Sequence, residues 1–144
     1  MKPFHLKLIK LGAIQTLLMA LYHFYLPFQF GWSQFIPEGI ASIKWALFAL
    51  NNYFSFNLLV LCLTLIYYIR SKKLDKIKLL SFITACFWVF SAIYQWIESL
   101  PLPTSFNWVG YLLPFLAFFN SLLFMVPLIA SRGKIETQTK TNKN

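Results

Sequence analysis

Seven polar or titratable side chains define a candidate site in this 144-residue chain. They are one histidine, three amides, two tyrosines and one carboxylate, groups that hydrogen-bond a ligand or exchange protons with it. Two of them, His23 and Glu98, could act as base and acid if they lie within hydrogen-bond reach. The alternative is that the amides only hold helices together by hydrogen bonds. We call this set the outer polar cluster: His23, Asn51, Asn52, Tyr94, Gln95, Glu98 and Tyr111.

The two cysteines raise a separate possibility of thiol redox chemistry. Cys62 and Cys86 each lie eight residues from the basic end of an apolar segment, at Arg70 and Lys78, and therefore at similar depth. Against this stand the absence of a C-x-x-C motif and the common role of cysteine as a small buried hydrophobe. The two histidines of the chain are predicted on opposite sides of a membrane, so the sequence indicates no metal site and no cofactor.

The composition indicates which environment must position these residues. Apolar residues make up 58% of the chain and charged residues 12%, where an ordinary soluble domain has about 25% charged residues. A chain of this size encloses too little volume to hide so much apolar surface from water. The expected solvent is therefore a lipid bilayer.

Four apolar segments are long enough to cross that bilayer, since a spanning helix needs about 20 residues. They predict a single domain over residues 1–131, an all-α four-helix transmembrane bundle with up-down antiparallel topology, followed by a polar tail, 132–144. Pro27 is predicted to end the first helix. No A-x-A-like cleavage site closes the first segment, which favours a retained anchor over a signal peptide. The predicted segments are 8–26, 43–69, 79–97 and 108–130.

The distribution of positive charge predicts the orientation. The formal net charge is +9, and twelve of the thirteen Lys and Arg residues lie at the two termini or in the 70–78 loop, with Lys44 alone elsewhere. The positive-inside rule then places both termini in the cytoplasm and the connections 27–42 and 98–107 outside an inner (plasma) membrane. Charges placed this way contact anionic lipid head groups rather than nucleic acid.

Polar residues inside a membrane are expected to face neighbouring helices. On the third segment the polar stripe has spacings of three and four residues: Ser81, Thr84, Trp88, Ser91, Gln95 and Glu98. On the first, Gly12, Thr16 and Ala20 form a ridge of small residues that admits a close neighbour. On the second segment the residues expected to face inward are Asn51, Asn52, Ser55, Asn57 and Cys62. On the fourth segment they are Gly110, Pro114, Ala117, Ser121 and Met125, with Asn120 adjacent.

Three short runs in the first half of the chain carry a family resemblance. They read H-F-Y-L-P at residues 23–27, F-G-W at residues 30–32 and W-A-L-F-A-L-N at residues 45–51. In these runs the chain resembles uncharacterised small bacterial four-helix integral membrane proteins. The resemblance covers the first two predicted helices, implies a bacterial inner-membrane protein, and implies no activity. It draws attention to the neighbourhood of His23 and Asn51.

Three functions are compatible with the sequence. The first is binding of a lipid or other apolar small molecule in a polar and aromatic pocket in the outer half of the bundle. The second is a structural or assembly role, as a homo-oligomer or as a subunit of a larger membrane complex. The third is a redox enzyme that uses the two thiols. Because no catalytic motif is present, the sequence favours a non-enzymatic role.

Overall fold

The structure, a computed structural model, describes residues 2–35, 41–98 and 107–141. Within these ranges the chain forms helices and turns without a strand, which confirms the predicted all-α four-helix bundle. The four long helices are all long and apolar enough to cross a membrane. The helices are α1 (Pro3–Gln29), a short α2 (Trp32–Phe35), α3 (Ala41–Arg70), α4 (Leu74–Ile97) and α5 (Asn107–Thr141).

The four long helices form a bundle in which each helix packs against two neighbours. α1 packs against α3 and α5, and α4 packs against α5 and α3. The outer surface of the bundle is apolar, with side chains such as Trp45 and Phe115 more than 60% exposed. A helix satisfies its own backbone hydrogen bonds, so this surface can face lipid without leaving polar groups unpaired.

All four long helices extend beyond the predicted segments, and α1 and α5 extend the furthest. α1 begins at Pro3 and continues through Pro27 to Gln29, so the prediction that Pro27 ends this helix is wrong. α5 contains Pro114 and Pro127 and continues to Thr141, which makes residues 132–141 of the predicted tail part of the helix. The predicted outer connections 27–42 and 98–107 lie partly outside the described residues.

A tight turn joins α3 to α4 and reverses the chain. Lys72 adopts a left-handed conformation, with φ of 54°. The backbone N–H of Lys73 donates to the carbonyl of Tyr68 at 3.1 Å, and that of Lys72 donates to Ile69 at 3.3 Å. These two bonds form a Schellman motif, which satisfies the last carbonyls of α3 before the chain returns in α4.

The inward faces of α1 and α4 match the prediction closely. Thr16 and Ala20 are almost completely buried, as are Ser81, Thr84 and Trp88. Further along α4 the predicted stripe becomes less buried, and Glu98 at its end is exposed. The polar stripe of α4 therefore faces the bundle along most of its length and emerges at one end.

The prediction for α3 is wrong at two positions. Ser55 and Cys62 are buried and Asn51 is half-buried, but Asn52 and Asn57 are exposed. Successive residues on a helix are separated by about 100°, so one face cannot contain two adjacent asparagines. The inward face of α3 follows Asn51, Ser55 and Cys62, whose spacings of four and seven residues return to the same side of the helix.

Candidate functional site

The seam between α1 and α3 brings His23 and Asn51 together. The side-chain amide nitrogen of Asn51 donates to the backbone carbonyl of His23 at 2.7 Å. Pro27, four residues further along α1, has no N–H to give to this carbonyl. The amide of Asn51 therefore supplies the hydrogen bond that a proline inside the helix removes.

The imidazole of His23 lies against an aromatic wall. Its ring meets Phe54 of α3 edge to face, with ring centroids 4.6 Å apart. Phe54 in turn contacts Phe87 of α4 at 5.6 Å. The half-buried histidine is thus positioned by a residue of α3 that itself packs on α4.

The remaining members of the outer polar cluster are dispersed. Gln95 donates to the Ser91 hydroxyl on its own helix at 2.7 Å, and Tyr94 stacks on Phe90 with centroids 6.1 Å apart. Four of the seven residues are exposed, namely Asn52, Tyr94, Glu98 and Tyr111. Among the side-chain hydrogen bonds of the described segments, only the one from Asn51 to His23 joins two members of the cluster.

A second polar group lies deeper in the bundle, and sequence reasoning did not assemble it. The hydroxyl of Thr16 on α1 accepts a hydrogen bond from Trp88 Nε1 of α4 at 3.1 Å and another from Asn120 Nδ2 of α5 at 3.2 Å. It also donates to the carbonyl of Gly12 at 2.8 Å. We call Thr16, Trp88 and Asn120 the buried triad, since each is at most 3% exposed.

The buried triad depends on close approach of α1 and α5. A Cβ atom added at Gly12 would lie 2.7 Å from Cζ of Phe124, whose side chain is fully buried. Only glycine leaves room for that ring. Two sequence signals pointed to this site, the small-residue ridge of α1 and the tryptophan in the polar stripe of α4. Neither signal identifies the residue on a neighbouring helix that it contacts.

The buried triad leaves one polar atom without a partner. Within the described residues, Oδ1 of Asn120 is buried and accepts no hydrogen bond, as is also true of Oε1 of Gln95. Asn120 thus uses its amide nitrogen to join α5 to α1, while its oxygen lies near Gly12, 3.2 Å from where a Cβ would stand. This tightly packed site is suited to joining helices rather than to holding a ligand.

The two cysteines occupy different environments. Cys62 is buried and its sulfur donates to the carbonyl of Leu59 on the same helix at 3.1 Å, whereas Cys86 is exposed. Both are free thiols. In the described parts of the chain, no group of three or more His, Cys, Asp or Glu residues is arranged to hold a metal ion.

Comparison with protein-family models, with curated proteins and with solved structures found no match to this chain. The fold therefore defines the class of protein on physical grounds alone. Four apolar helices of spanning length, packed through small and polar faces, are those of a multi-pass membrane protein.

Proposed function

We propose that this chain is an inner-membrane protein that binds an amphipathic small molecule, a lipid or another apolar molecule with a polar head. The proposed site is the α1–α3 seam at His23 and Asn51. The observation that carries the proposal is the half-buried imidazole beside an amide and against the ring of Phe54. A neutral imidazole offers one donor and one acceptor to a polar head, and a side-chain amide offers N–H donors and a carbonyl acceptor.

The depth of the site suits a molecule of this chemistry. His23 lies six residues before the end of α1, about 9 Å along the helix axis. A head group at that level is close to the membrane interface, and its chains extend toward the bilayer centre along apolar surface. A ligand with a polar head and an apolar tail matches this change from polar interface to apolar bilayer centre better than a fully water-soluble ligand does.

The proposal includes an orientation, with both termini in the cytoplasm and the site in the outer leaflet. It is supported by the twelve-to-one distribution of basic residues in the sequence. Arg70, Lys72, Lys73 and Lys76 are exposed around the α3–α4 turn. Side chains placed in this way attract anionic head groups on the inner leaflet.

A second candidate function is that of a subunit in a larger membrane assembly. The observation that favours it is the exposure of Asn52, Tyr94, Glu98 and Tyr111 on the outside of the bundle. Polar side chains presented outward are available to a partner and contribute nothing to an internal pocket. Purification in mild detergent would then return a second protein in stoichiometric amount.

The experiment that tests ligand binding compares co-purified lipids by mass spectrometry. The protein is purified from its membrane in mild detergent, extracted with organic solvent, and compared with His23→Phe and Asn51→Leu. His23→Phe keeps a ring against Phe54 but removes both nitrogens. Asn52→Leu is the matched control, since it removes an exposed amide one residue away.

We expect one amphiphile at near-stoichiometric amount in the wild type and in the control, and its loss from the two seam variants. Circular dichroism must show equal helix content in all four proteins. The same extract from every variant, with only the composition of the bulk membrane, would refute the proposal. A stoichiometric protein partner with no enriched lipid would favour the assembly role instead.

A further inference from the structure

Asn57 is a polar residue exposed near the centre of a membrane-spanning helix. It lies thirteen residues before Arg70, the basic residue that ends α3, which corresponds to about 20 Å along the axis. A hydrocarbon core is about 30 Å thick, so the side chain lies well inside it. In the described residues no side-chain hydrogen bond involves Asn57.

An exposed amide at this depth faces acyl chains that can neither donate nor accept a hydrogen bond. Burying such a group without a partner is unfavourable by several kcal/mol on scales that exclude hydrogen bonding. Three other polar residues inside the bundle avoid this cost, since Thr16, Ser55 and Thr84 bond to carbonyls of their own helices. A hydrogen-bond partner from outside the chain would remove this cost for Asn57.

Asn52, the other exposed asparagine of α3, is in a different position. It lies eighteen residues before Arg70, about 27 Å along the axis and thus close to the opposite interface. Water and head groups can solvate an amide there. The two side chains also point about 140° apart around the helix, since five residues separate them.

The surface of α3 is exposed on one side of Asn57, whereas Phe54 and Leu61 on its other side are half-buried. Residues three, four and seven positions away lie on the same stripe, and Leu50, Tyr53 and Val60 are all exposed. Thr64, one heptad after Asn57, is half-buried on the same side. The residues of this stripe are three or four positions apart, which is the spacing by which two helices pack along a shared seam. Asn57 places one amide at the centre of the stripe.

We infer that α3 pairs with α3 of a second copy of this chain, with the two Asn57 amides hydrogen-bonded to each other in the bilayer. Copies inserted with the same topology present Asn57 at the same depth, so a two-fold axis along the membrane normal brings the two side chains together. An amide is both donor and acceptor, and two of them form reciprocal hydrogen bonds. This inference is independent of the proposed ligand.

The inference is tested by measuring association in lipid vesicles. Donor- and acceptor-labelled protein is reconstituted in vesicles of phosphatidylethanolamine and phosphatidylglycerol, and energy transfer is followed as the protein-to-lipid ratio falls. We expect a dimer that Asn57→Leu weakens by about tenfold, given that each interhelical hydrogen bond in a membrane contributes modestly. Asn57→Gln keeps an amide and should retain most of the association. Asn52→Leu, the matched control, should associate like the wild type.

Disulfide trapping provides a second measurement. In a background with Cys62→Ala and Cys86→Ala, Tyr53→Cys lies on the proposed seam and Phe119→Cys lies on the exposed surface of α5. Disulfides form only when the two Cα atoms are within about 7 Å, so oxidation should cross-link the first variant and not the second. Wild-type protein that stays monomeric at every ratio would overturn the inference. So would equal association of Asn57→Leu and the wild type, or cross-linking confined to Phe119→Cys.

Discussion

A single hydroxyl group joins three of the four long helices. Thr16 offers one donor and two acceptor positions, and all three are used, toward Gly12, Trp88 and Asn120. Removing that oxygen would leave two buried N–H groups without an acceptor. Buried donors that lose their acceptor destabilise a fold more than the bond itself stabilises it.

Thr16→Val is therefore expected to lower the free energy of unfolding by about 1–3 kcal/mol. Valine keeps the shape of threonine, so the loss comes from the hydrogen bonds rather than from a cavity. Unfolding can be followed by circular dichroism as sodium dodecyl sulfate is titrated into mixed micelles. Thr16→Ser keeps the hydroxyl and should lose less.

Thr84→Val is the control for this prediction. Thr84 is as deeply buried as Thr16, but its hydroxyl bonds only to the carbonyl of Leu80 on its own helix. That carbonyl also accepts the helical backbone bond, so the substitution should change stability little. Equal losses in Thr16→Val and Thr84→Val would show that the buried triad contributes no specific stability.

At the scale of the helices, α1 continues past Pro27, and a side chain of α3 replaces the hydrogen bond that this proline removes. The carbonyl of His23 lacks its usual helical donor, and Asn51 provides one at 2.7 Å. The bond fixes the rotation of α3 relative to α1 at this level. An interruption in one helix thus becomes a specific contact with the next.

Pro27→Ala should therefore reduce the cost of Asn51→Leu. In the wild-type background we expect Asn51→Leu to lower the free energy of unfolding by about 1 kcal/mol. With alanine at position 27 a backbone N–H can reach His23, and the same substitution should cost clearly less. The double-mutant cycle measures this coupling.

Pro127→Ala provides the reference for that cycle. Pro127 lies inside α5, which is not part of the α1–α3 seam, and should combine additively with Asn51→Leu because the two residues share no hydrogen-bond partner. If the two cycles give the same coupling energy, the Asn51 amide does not replace a hydrogen bond that Pro27 removes. The comparison also separates a local hydrogen bond from a general effect of proline on helix stability.

The sequence predicts the helices of this protein better than their contacts. Apolar runs of spanning length predict helices because no other single-segment structure satisfies the backbone in lipid. The stripe of α4 predicted its own inward face, with Ser81, Thr84 and Trp88 buried. Such patterns fix the rotation of one helix but not the register of its neighbour.

That limit explains what sequence analysis missed. Trp88 and Asn120 meet on Thr16 only because α4 and α5 are aligned with α1 at one particular height. Asn52 and Asn57 were expected to face inward because they are polar, although the buried residues of α3 follow another face. Polarity alone therefore does not place a residue on the inward face of its helix.

At the scale of the whole molecule, the charge distribution predicts the side of the membrane on which each site lies. Exposed basic residues surround the α3–α4 turn, at the end of the bundle opposite to His23 and Asn51. The positive-inside rule predicts that this turn faces the cytoplasm. The orientation of the chain therefore decides whether the proposed ligand comes from the outer or the inner leaflet.

We predict that a cysteine at position 105 is accessible from the periplasm and one at position 71 is not. In a background with Cys62→Ala and Cys86→Ala, intact bacterial cells are treated with a membrane-impermeant maleimide and compared with lysed cells. Ser105→Cys should react in both samples, and Ser71→Cys only after lysis. The reverse pattern would place the basic turn outside and the His23–Asn51 seam in the inner leaflet. The ligand would then have to be supplied from the cytoplasmic side, even if the seam variants still lost it.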